Sequence, residues 1–326
     1  MKKKLFFSLF ILSFLALNFA KAQNIQLEDV NFKRQLLSAS PDNEIAKDVN
    51  GKAVAIDANS DGEISQAEAL NIYQLEINKV RDIKSIKGIE YFTNLSVLKC
   101  YNLPKLESLD VSKNISLQDL ELQDNIKLET LNVSENINLQ GLLILGNIKI
   151  ETLDISKNTK LQALILKGMG IKALDVSKNI NLKTLGLVSL KIETLDLDIS
   201  KNINLQKLDL SGNGIRILDI SKNINLQELY LMATKIETLD VSHNTNLTNL
   251  KVVNCSKLTS LYMKNGVKKT FGWSEINESK YFFWDTKHTS LNYICCDENE
   301  IDDVKNYIGN RANLITITSD CGTESK

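Results

Sequence analysis

A six-residue phrase that returns every 21 to 23 residues constrains this chain more than any other feature. The phrase reads leucine, aspartate or asparagine, valine or isoleucine, serine, any residue, asparagine. It closes seven times, at Asn114, Asn136, Asn158, Asn179, Asn202, Asn223 and Asn244. Such self-similarity at a fixed period of about 20–50 residues indicates a repeat architecture in which each unit stacks on its neighbours.

A second phrase, apolar-any-apolar, lies about halfway between successive copies of the first. It occurs at Leu98/Cys100, Leu120/Leu122, Leu142/Ile144, Leu164/Leu166, Leu185/Leu187, Leu208/Leu210, Leu229/Leu231 and Leu250/Val252. Alternation of this kind predicts two short strands per coil, so that stacked coils build two parallel sheets with strands about 4.8 Å apart. We expect the apolar positions to fill one core and each closing asparagine to bond backbone donors of the next coil.

These phrases carry a resemblance to a known family. Leu106 to Leu117 reads L-x-x-L-D-V-S-x-N-x-x-L, and Ile236 to Leu247 repeats it with isoleucine first. The pattern resembles leucine-rich repeats, and its nested coil of about 21 residues is similar to secreted repeat proteins of Gram-negative bacteria and, more distantly, to internalin-like adhesins. The resemblance covers residues 75–262 and implies a mainly β, right-handed leucine-rich-repeat solenoid with two short parallel sheets. It also implies a non-enzymatic recognition scaffold, whose partner the fold alone does not identify.

The first 22 residues have the composition of a signal peptide. Three lysines precede an apolar stretch of about 15 residues, too short to span a bilayer, and Ala20-Lys21-Ala22 offers a cleavage site before Gln23. No cysteine follows that site, which argues against a lipid anchor, and no later apolar run has spanning length. We therefore expect a secreted or periplasmic protein. We divide it into residues 1–22 (signal peptide), 23–95 (N-terminal cap), 96–262 (solenoid) and 263–326 (C-terminal cap).

Residues 57–68 match the acidic calcium-loop motif D-x-[DN]-x-[DN]-G-x5-E at every specified position. The predicted oxygen ligands are Asp57, Asn59, Asp61, Glu63, Ser65 and Glu68, with Glu63 contributing its backbone carbonyl. A helix over 66–72 is expected after the loop, but a turn and a strand precede it, so this EF-hand-like loop is single. The pattern predicts a structural Ca²⁺ site with a dissociation constant of about 10⁻⁴ to 10⁻³ M, and the alternative is an Asp-Gly turn without metal.

The two ends of the chain have cap-like patterns. Leu27, Val30 and Leu37 predict a short capping helix over 27–37. At the other end, where Trp273 and Tyr281 to Trp284 supply aromatic bulk, we expect a strand over 291–295, an amphipathic helix over 297–310 and a strand over 314–318. The N-terminal cap is therefore a small α-containing unit and the C-terminal cap an α/β unit.

The five cysteines fall into two groups. Cys100 and Cys255 lie seven coils apart, beyond disulfide reach, and are expected to be buried as small apolar residues. The stretch from Cys295 to Cys321 is similar to the C-terminal caps of the same secreted repeat proteins, which implies a disulfide between these two. Cys296 competes with Cys295 as the partner.

The outward positions of the second strand differ from coil to coil and include many apolar residues. The predicted partner-binding residues are Leu143, Leu145, Ile165, Val188, Tyr230, Met232 and Val253. An apolar patch framed by charge is typical of a protein-binding surface, unless the register differs or a cap or second copy covers it. The repeated aspartates of the first phrase, by contrast, predict a solvated face.

Charge and motifs exclude several other functions. Removing the signal peptide changes the formal net charge from −1 to −5, which argues against a nucleic-acid partner. His243 and His288 stand in no nucleophile motif, so we expect no enzyme activity. The sequence therefore predicts a scaffold for protein interaction or adhesion, and the alternatives are carbohydrate binding and a purely structural role in the cell envelope.

Overall fold

The computed structural model describes residues 23–147, 149–190, 197–272, 282–284 and 288–322. The predicted signal peptide lies outside the described residues, as do Trp273 and Tyr281 of the predicted aromatic cap. Within the described residues the chain has seventeen strands, three α-helices and three 3₁₀ turns.

The helices and strands follow the repeat closely. The helices are α1 Val30–Leu37, α2 Gln66–Ala69 and α3 Ile301–Ile308, and the 3₁₀ turns are Ile89–Tyr91, Glu298–Glu300 and Gly309–Leu314. The strands are β1 Ala46–Lys47, β2 Gln74–Asn78, β3 Val97–Tyr101, β4 Ser108–Asp110, β5 Asp119–Gln123, β6 Thr130–Asn132, β7 Gly141–Leu145, β8 Ala163–Lys167, β9 Thr184–Val188, β10 Lys207–Asp209, β11 Glu228–Met232, β12 Thr238–Asp240, β13 Asn249–Val253, β14 Ser260–Tyr262, β15 Phe282–Trp284, β16 Tyr293–Cys295 and β17 Thr316–Thr318.

The second phrase of each coil forms one continuous sheet of eleven strands in the order β1-β2-β3-β5-β7-β8-β9-β10-β11-β13-β15. Only β1 is antiparallel to its neighbour. The leucines of successive phrases pair in register from Leu98 with Leu120 through to Leu229 with Leu250, and all of them are fully buried. The predicted leucine-rich-repeat solenoid is confirmed, and its core is the stack of these leucines.

The first phrase forms much less sheet than the second. It gives a β4–β6 pair near one end and a β12-β14-β16-β17 sheet near the other. The described parts of the four coils closed by Asn158, Asn179, Asn202 and Asn223 have no strand at this phrase. The extended segment is short for a local reason: the aspartate side chain accepts a hydrogen bond from the serine N–H two residues later, as Asp154 does from Ser156 at 2.9 Å. The same bond forms in coils that have a strand here, as from Ser112 N to Asp110 at the end of β4. The turn therefore limits the extended segment to three residues at most, and it does not decide which coils pair.

Coils on this side are joined instead by a ladder of buried asparagines. Asn136 Nδ2 donates to Val111 O at 2.9 Å and to Asn114 O at 2.8 Å, both in the preceding coil. The same pair of bonds is made by Asn114, Asn158, Asn179, Asn202, Asn223 and Asn244. The expected direction was therefore wrong: each amide satisfies carbonyl acceptors of the coil before it, because the tight turn leaves oxygens facing the next coil.

A second, shorter ladder follows the long sheet. Asn125 Nδ2 donates to Cys100 O at 2.9 Å, and Asn147 and Asn213 make the equivalent bond in their coils. Cys255 occupies the same position, where its thiol donates to Leu231 O at 2.9 Å. Cys100 and Cys255 are free and buried as predicted, and the ladder explains why a small polar group stands at position 255.

The N-terminal cap confirms part of the predicted helix: Leu27 and Leu37 pack against the core, but the helix begins at Val30, and Val30 itself does not pack. α1 buries Phe32 and Leu36, four residues apart, whereas Val30 is 67% exposed. Asp29 caps the helix by accepting from Asn31 N and Phe32 N, and its other carboxylate oxygen accepts from Lys84 N at 2.7 Å. That last bond ties the start of the helix to the segment before the solenoid.

The C-terminal cap closes the other end with a disulfide between Cys295 and Cys321, whose Cα atoms are 5.4 Å apart. Cys296 is a buried free thiol, and burial followed by the nearby Glu300 charge raises its pKa to about 11. The expected helix over 297–310 is divided into a 3₁₀ turn, α3 and a second 3₁₀ turn. α3 ends at Ile308 because Gly309 adopts a φ of +60°.

Candidate functional site

All seven predicted partner-binding residues lie on the outward face of the long sheet. Leu143 and Leu145 are on β7, Ile165 on β8 and Val188 on β9. Leu143 pairs with Ile165, and Leu145 is two strands from Val188 along the same column, with Lys167 between them. We call these four residues on three adjacent strands the apolar patch.

The remaining three predicted residues form a separate group. Tyr230 and Met232 lie on β11 and Val253 on β13, beyond the intervening strand β10. In the coil of β10 the second phrase, Leu208 to Asn213, has the leucine, aspartate, serine and asparagine of the first phrase at the same spacing. As in the first phrase, the aspartate accepts from the serine, here from Ser211 N to Asp209 at 3.0 Å. The turn shortens β10 to three residues and buries Ser211, so the outward column is interrupted. The structure thus divides the predicted surface into two parts.

The apolar side chains on this face are less exposed than expected. Only Met232 reaches 37% exposure, while the other six are half-buried. Strands about 4.8 Å apart place successive outward side chains in contact, so that each one shields its neighbours. The patch is consequently a closely packed surface and not a row of isolated apolar residues.

Two tyrosine-centred polar clusters flank the apolar patch. On the N-terminal side, Tyr101 donates to Glu121, which also lies 3.5 Å from the Lys99 amine. The Tyr101 pKa is raised by burial and then by this hydrogen bond. The tyrosine is therefore an uncharged donor at neutral pH.

The second cluster lies on the C-terminal side of the patch. Tyr230 donates to Glu228 at 2.9 Å, and Lys207 Nζ lies 2.8 Å from Glu228 and 5.3 Å from the centre of the Tyr230 ring. Burial, followed by the bond to Glu228, raises the pKa of Tyr230 to about 12. Burial acts to raise the Glu228 pKa, but the bonds from Lys207 and Tyr230 keep it below its usual value. Both rings are held rigidly at the surface.

The sequence reasoning named Tyr230 but not the clusters. The signal was present: in each case a lysine and a glutamate occupy paired strands beside an outward tyrosine. The lysine and the glutamate are more than 20 residues apart in the sequence and become neighbours because their strands pair in register.

The predicted calcium loop has a regular turn conformation. Asp57 accepts from Asp61 N and Gly62 N, Asn59 accepts from Asp61 N at 2.8 Å, and Asp61 accepts from Glu63 N at 2.9 Å. These bonds draw the first three predicted ligands around one turn, in which Gly62 has a φ of +79°. The Glu63 side chain points elsewhere, pairing with Lys33 at 2.6 Å.

The last predicted ligands, Ser65 and Glu68, have a different arrangement. They form a capping box at the start of α2, and the two Glu68 carboxylate oxygens accept from Ala58 N, Asn59 N, Ser65 N and the Ser65 hydroxyl. Nowhere in the described residues do three or more acidic, histidine or cysteine side chains gather closely enough to hold a metal ion. The helix after the loop ends at Ala69 instead of Ile72. The predicted loop is not paired with a second loop of its kind within the described residues; its Ile64 O accepts instead from Ile25 N, at 2.7 Å.

Besides the tyrosine clusters, the sequence analysis did not predict a column of exposed isoleucines. Each follows a ladder asparagine and is 51–58% exposed: Ile115, Ile137, Ile180, Ile203 and Ile224. Thr159 and Thr245 occupy the same position in the remaining two coils. The column lies before the long sheet in each coil, away from the apolar patch.

Comparisons with known proteins give similarity of architecture. No family model matches the chain, and no curated protein matches it. The functional domain of InlJ from Listeria monocytogenes is 19% identical, with a TM-score of 0.40 over 88% of this chain and 81% of that one. Internalin C2 of the same organism is 17% identical (TM-score 0.44; 82% and 93% covered), and a leucine-rich-repeat protein of Leptospira interrogans is 20% identical (0.43; 71% and 73%). Across the described residues, no helix is long and apolar enough to cross a membrane.

Proposed function

We propose that this chain is an exported, non-catalytic scaffold that binds a protein partner through the outward face of its long sheet. The observation that carries the proposal is the apolar patch with a tyrosine cluster on each side. Interface centres are enriched in tyrosine and depleted of charge, and polar groups surround them. Here the apolar patch forms the centre, with Lys167 as the only charged outward residue of β7 to β9, and the tyrosines lie at its edges among the polar groups.

The rigidity of the face supports protein binding. Tyr101 and Tyr230 are held by hydrogen bonds to carboxylates on paired or the same strands, so little side-chain freedom is lost on binding. They lie six strand spacings apart, about 29 Å, which is the width of a standard protein interface. A partner that spans both tyrosines also covers the apolar patch between them.

The test is capture of a partner from host-protein and surface extracts, followed by measurement of its affinity for variants. Ile165→Asp and Tyr230→Asp should each weaken binding at least tenfold, because a charge would be buried at the centre of the contact or an anchor lost. The matched control is Ile203→Asp, which changes an isoleucine of the exposed column outside this face. Equal affinity of the folded Ile165→Asp and Ile203→Asp variants would contradict the proposal.

The alternative is a structural protein whose face is covered by a second copy. Sedimentation of the pure protein distinguishes the two. A stable oligomer that Ile165→Asp converts to monomer would favour the structural role, and a monomer in both cases favours a partner of another kind.

We further propose export by cleavage of residues 1–22. Support comes from the basic, apolar and small-residue segments in that order. N-terminal sequencing of the protein from periplasm and culture medium should begin at Gln23 and will also identify the compartment. Retention of Met1 would contradict cleavage.

We also propose that loop 57–68 binds Ca²⁺ and stiffens the N-terminal cap. The side-chain oxygens of Asp57, Asn59 and Asp61 already surround one turn, and Glu68 would have to exchange its backbone donors for the ion. With a dissociation constant of about 10⁻⁴ M, 1 mM Ca²⁺ would stabilise the fold by about 1.4 kcal/mol. The melting temperature should rise relative to chelator, and Asp61→Asn, which can keep the turn, should reduce the rise. An unchanged melting temperature would contradict calcium binding.

A further inference from the structure

A polar groove of about 660 Å³ runs along the solenoid at the edge where strands β7 to β11 begin. It is lined by Gln140, Lys160, Gln162, Asn181, Lys183, Asn204, Gln206 and Asn225. These residues belong to five consecutive coils, so the groove extends across four spacings, about 19 Å. It lies outside the outward face of the long sheet.

The walls of the groove are two ladders of amide side chains. In one wall, Asn181, Asn204 and Asn225 each donate Nδ2 to a carbonyl of the preceding coil at 2.9–3.1 Å. In the other, Gln162 Nε2 donates to Gln140 Oε1 at 3.2 Å, and Lys183 Nζ donates to Gln162 Oε1 at 3.0 Å. The bonds hold the side chains in place before any ligand arrives.

These bonds leave a repeated set of donors and acceptors in the groove. The three asparagine Oδ1 atoms accept no hydrogen bond within the described residues, and each Nδ2 keeps a second hydrogen. Gln206 makes no side-chain bond among those residues. Each coil therefore presents at least one donor or acceptor, at intervals of about 4.8 Å.

The charge in the groove has one sign. Lys160 and Lys183 are exposed, and none of the described residues that line the groove carries a carboxylate. Two acidic residues come within three positions of the lining: Asp209 accepts from Ser211 N at 3.0 Å, and Glu228 is paired with Lys207 at 2.8 Å. A ligand with one or two negative charges is thus attracted, although the chain as a whole is mildly acidic.

We propose that this groove binds an acidic oligosaccharide, a chain of sugar rings carrying uronic-acid carboxylates. Sugar hydroxyls both donate and accept, which matches amides that offer one of each, and the carboxylates pair with Lys160 and Lys183. A linear chain of rings presents the same groups repeatedly along its length, as the coils do along the groove. A protein ligand would favour apolar pockets, which this lining of amides and amines does not provide.

The isoleucine column supports a sugar over other polar ligands. Ile180, Ile203 and Ile224 precede the asparagines of the groove wall by one residue, and each is more than half exposed. The carbonyls of Ile180 and Ile203 accept the wall bonds of Asn204 and Asn225, so exposed apolar residues adjoin this wall of the groove. Sugar rings have apolar C–H faces as well as hydroxyl edges, so both parts of such a ligand find a complementary surface.

The experiment measures binding of the whole protein to oligogalacturonate by calorimetry at low and moderate salt. The neutral comparison is the methyl-esterified form of the same oligomer, and the peptide comparison is oligoglutamate of similar length. We expect oligogalacturonate to bind, and Lys160→Gln with Lys183→Gln to weaken it about tenfold, since two exposed ion pairs are lost. Raising the salt concentration should also weaken binding.

The control changes Lys178 and Lys201 to glutamine, which removes the same charge from the adjacent outer column. Loss of binding confined to the Lys160/Lys183 variant would support the groove. Equal loss in both variants, equally tight binding of the methyl ester or of oligoglutamate, or no binding at all would overturn the proposal. Because Ile165→Asp lies on another surface, it should leave sugar binding unchanged, so this result is independent of the proposed protein interaction.

Discussion

The asparagine ladder offers a direct test of how the coils are held together. Asn223 is completely buried, and its Nδ2 donates to Ile199 O at 3.1 Å and to Asn202 O at 2.9 Å. Each of these carbonyls also accepts a backbone N–H inside its own coil, from Asn202 and Leu205. Replacing Asn223 by alanine therefore removes two hydrogen bonds but leaves no carbonyl without a partner.

The expected cost follows from these contacts. Two intramolecular hydrogen bonds contribute about 2 kcal/mol, and the small cavity left by the amide adds up to about 1 kcal/mol. Asn223 Oδ1 has no partner, so its removal costs nothing further. We expect Asn223→Ala to lower the free energy of unfolding by about 2–3 kcal/mol.

Equilibrium urea unfolding followed by circular dichroism measures this difference. The control is Asn225→Ala, two residues later, which removes an exposed side chain with one bond to Ile203 O at 3.0 Å and should cost less than about 1 kcal/mol. Asn223→Asp should cost more than Asn223→Ala, because a carboxylate oxygen would face two carbonyl oxygens. Equal losses for the alanine variants at 223 and 225 would refute the ladder reasoning.

Three further predictions concern the caps and the pH dependence. The buried Lys269 amine lies 3.3 Å from the Glu300 carboxylate. Lys269→Met and Glu300→Leu should each lower the unfolding free energy by about 3–5 kcal/mol, because each leaves a buried charge without its partner. The double variant should lose less than the sum of the two, and a double-mutant cycle measured by denaturant unfolding will show or contradict this. Cys321→Ser should lower the unfolding free energy by about 3–4 kcal/mol, and a reductant should then have no further effect on that variant. Backbone and hydroxyl hydrogen bonds from Ser177 hold the Asp175 pKa below its ordinary 3.8, so the stability from this carboxylate is present above pH 3.8 and lost as the pH falls through the folded-state pKa. Asp175→Asn should therefore flatten acid unfolding below about pH 4; unchanged steepness would contradict this.

The solenoid was predictable from the sequence because its determinants are local and repeated. The Leu98 and Leu120 phrases alternate with period 2, and pairing them across coils requires only that the period be constant. The parallel strands of the eleven-stranded sheet keep this pairing of equivalent phrase positions from coil to coil. The first phrase was harder to interpret, since its aspartate favours a turn that competes with the strand.

Other features depend on groups that sequence proximity does not indicate. Val30 fits a helical stripe, but the helix packs Phe32 and Leu36 into the core, and its N-cap Asp29 is bonded to Lys84 N, 55 residues away. Gln206 and Asn225 likewise become walls of one groove only when coils stack.

By itself, the sequence determined the repeat, the strand register and the buried leucine and asparagine positions, since each depends on spacing within one coil. The tertiary structure alone decided the direction of the asparagine bonds, the split of the apolar face at β10 and the amide groove. The physical reason is that exposure and hydrogen-bond partners are set by the adjacent coil, which lies about 4.8 Å away in space but more than twenty residues away in the chain.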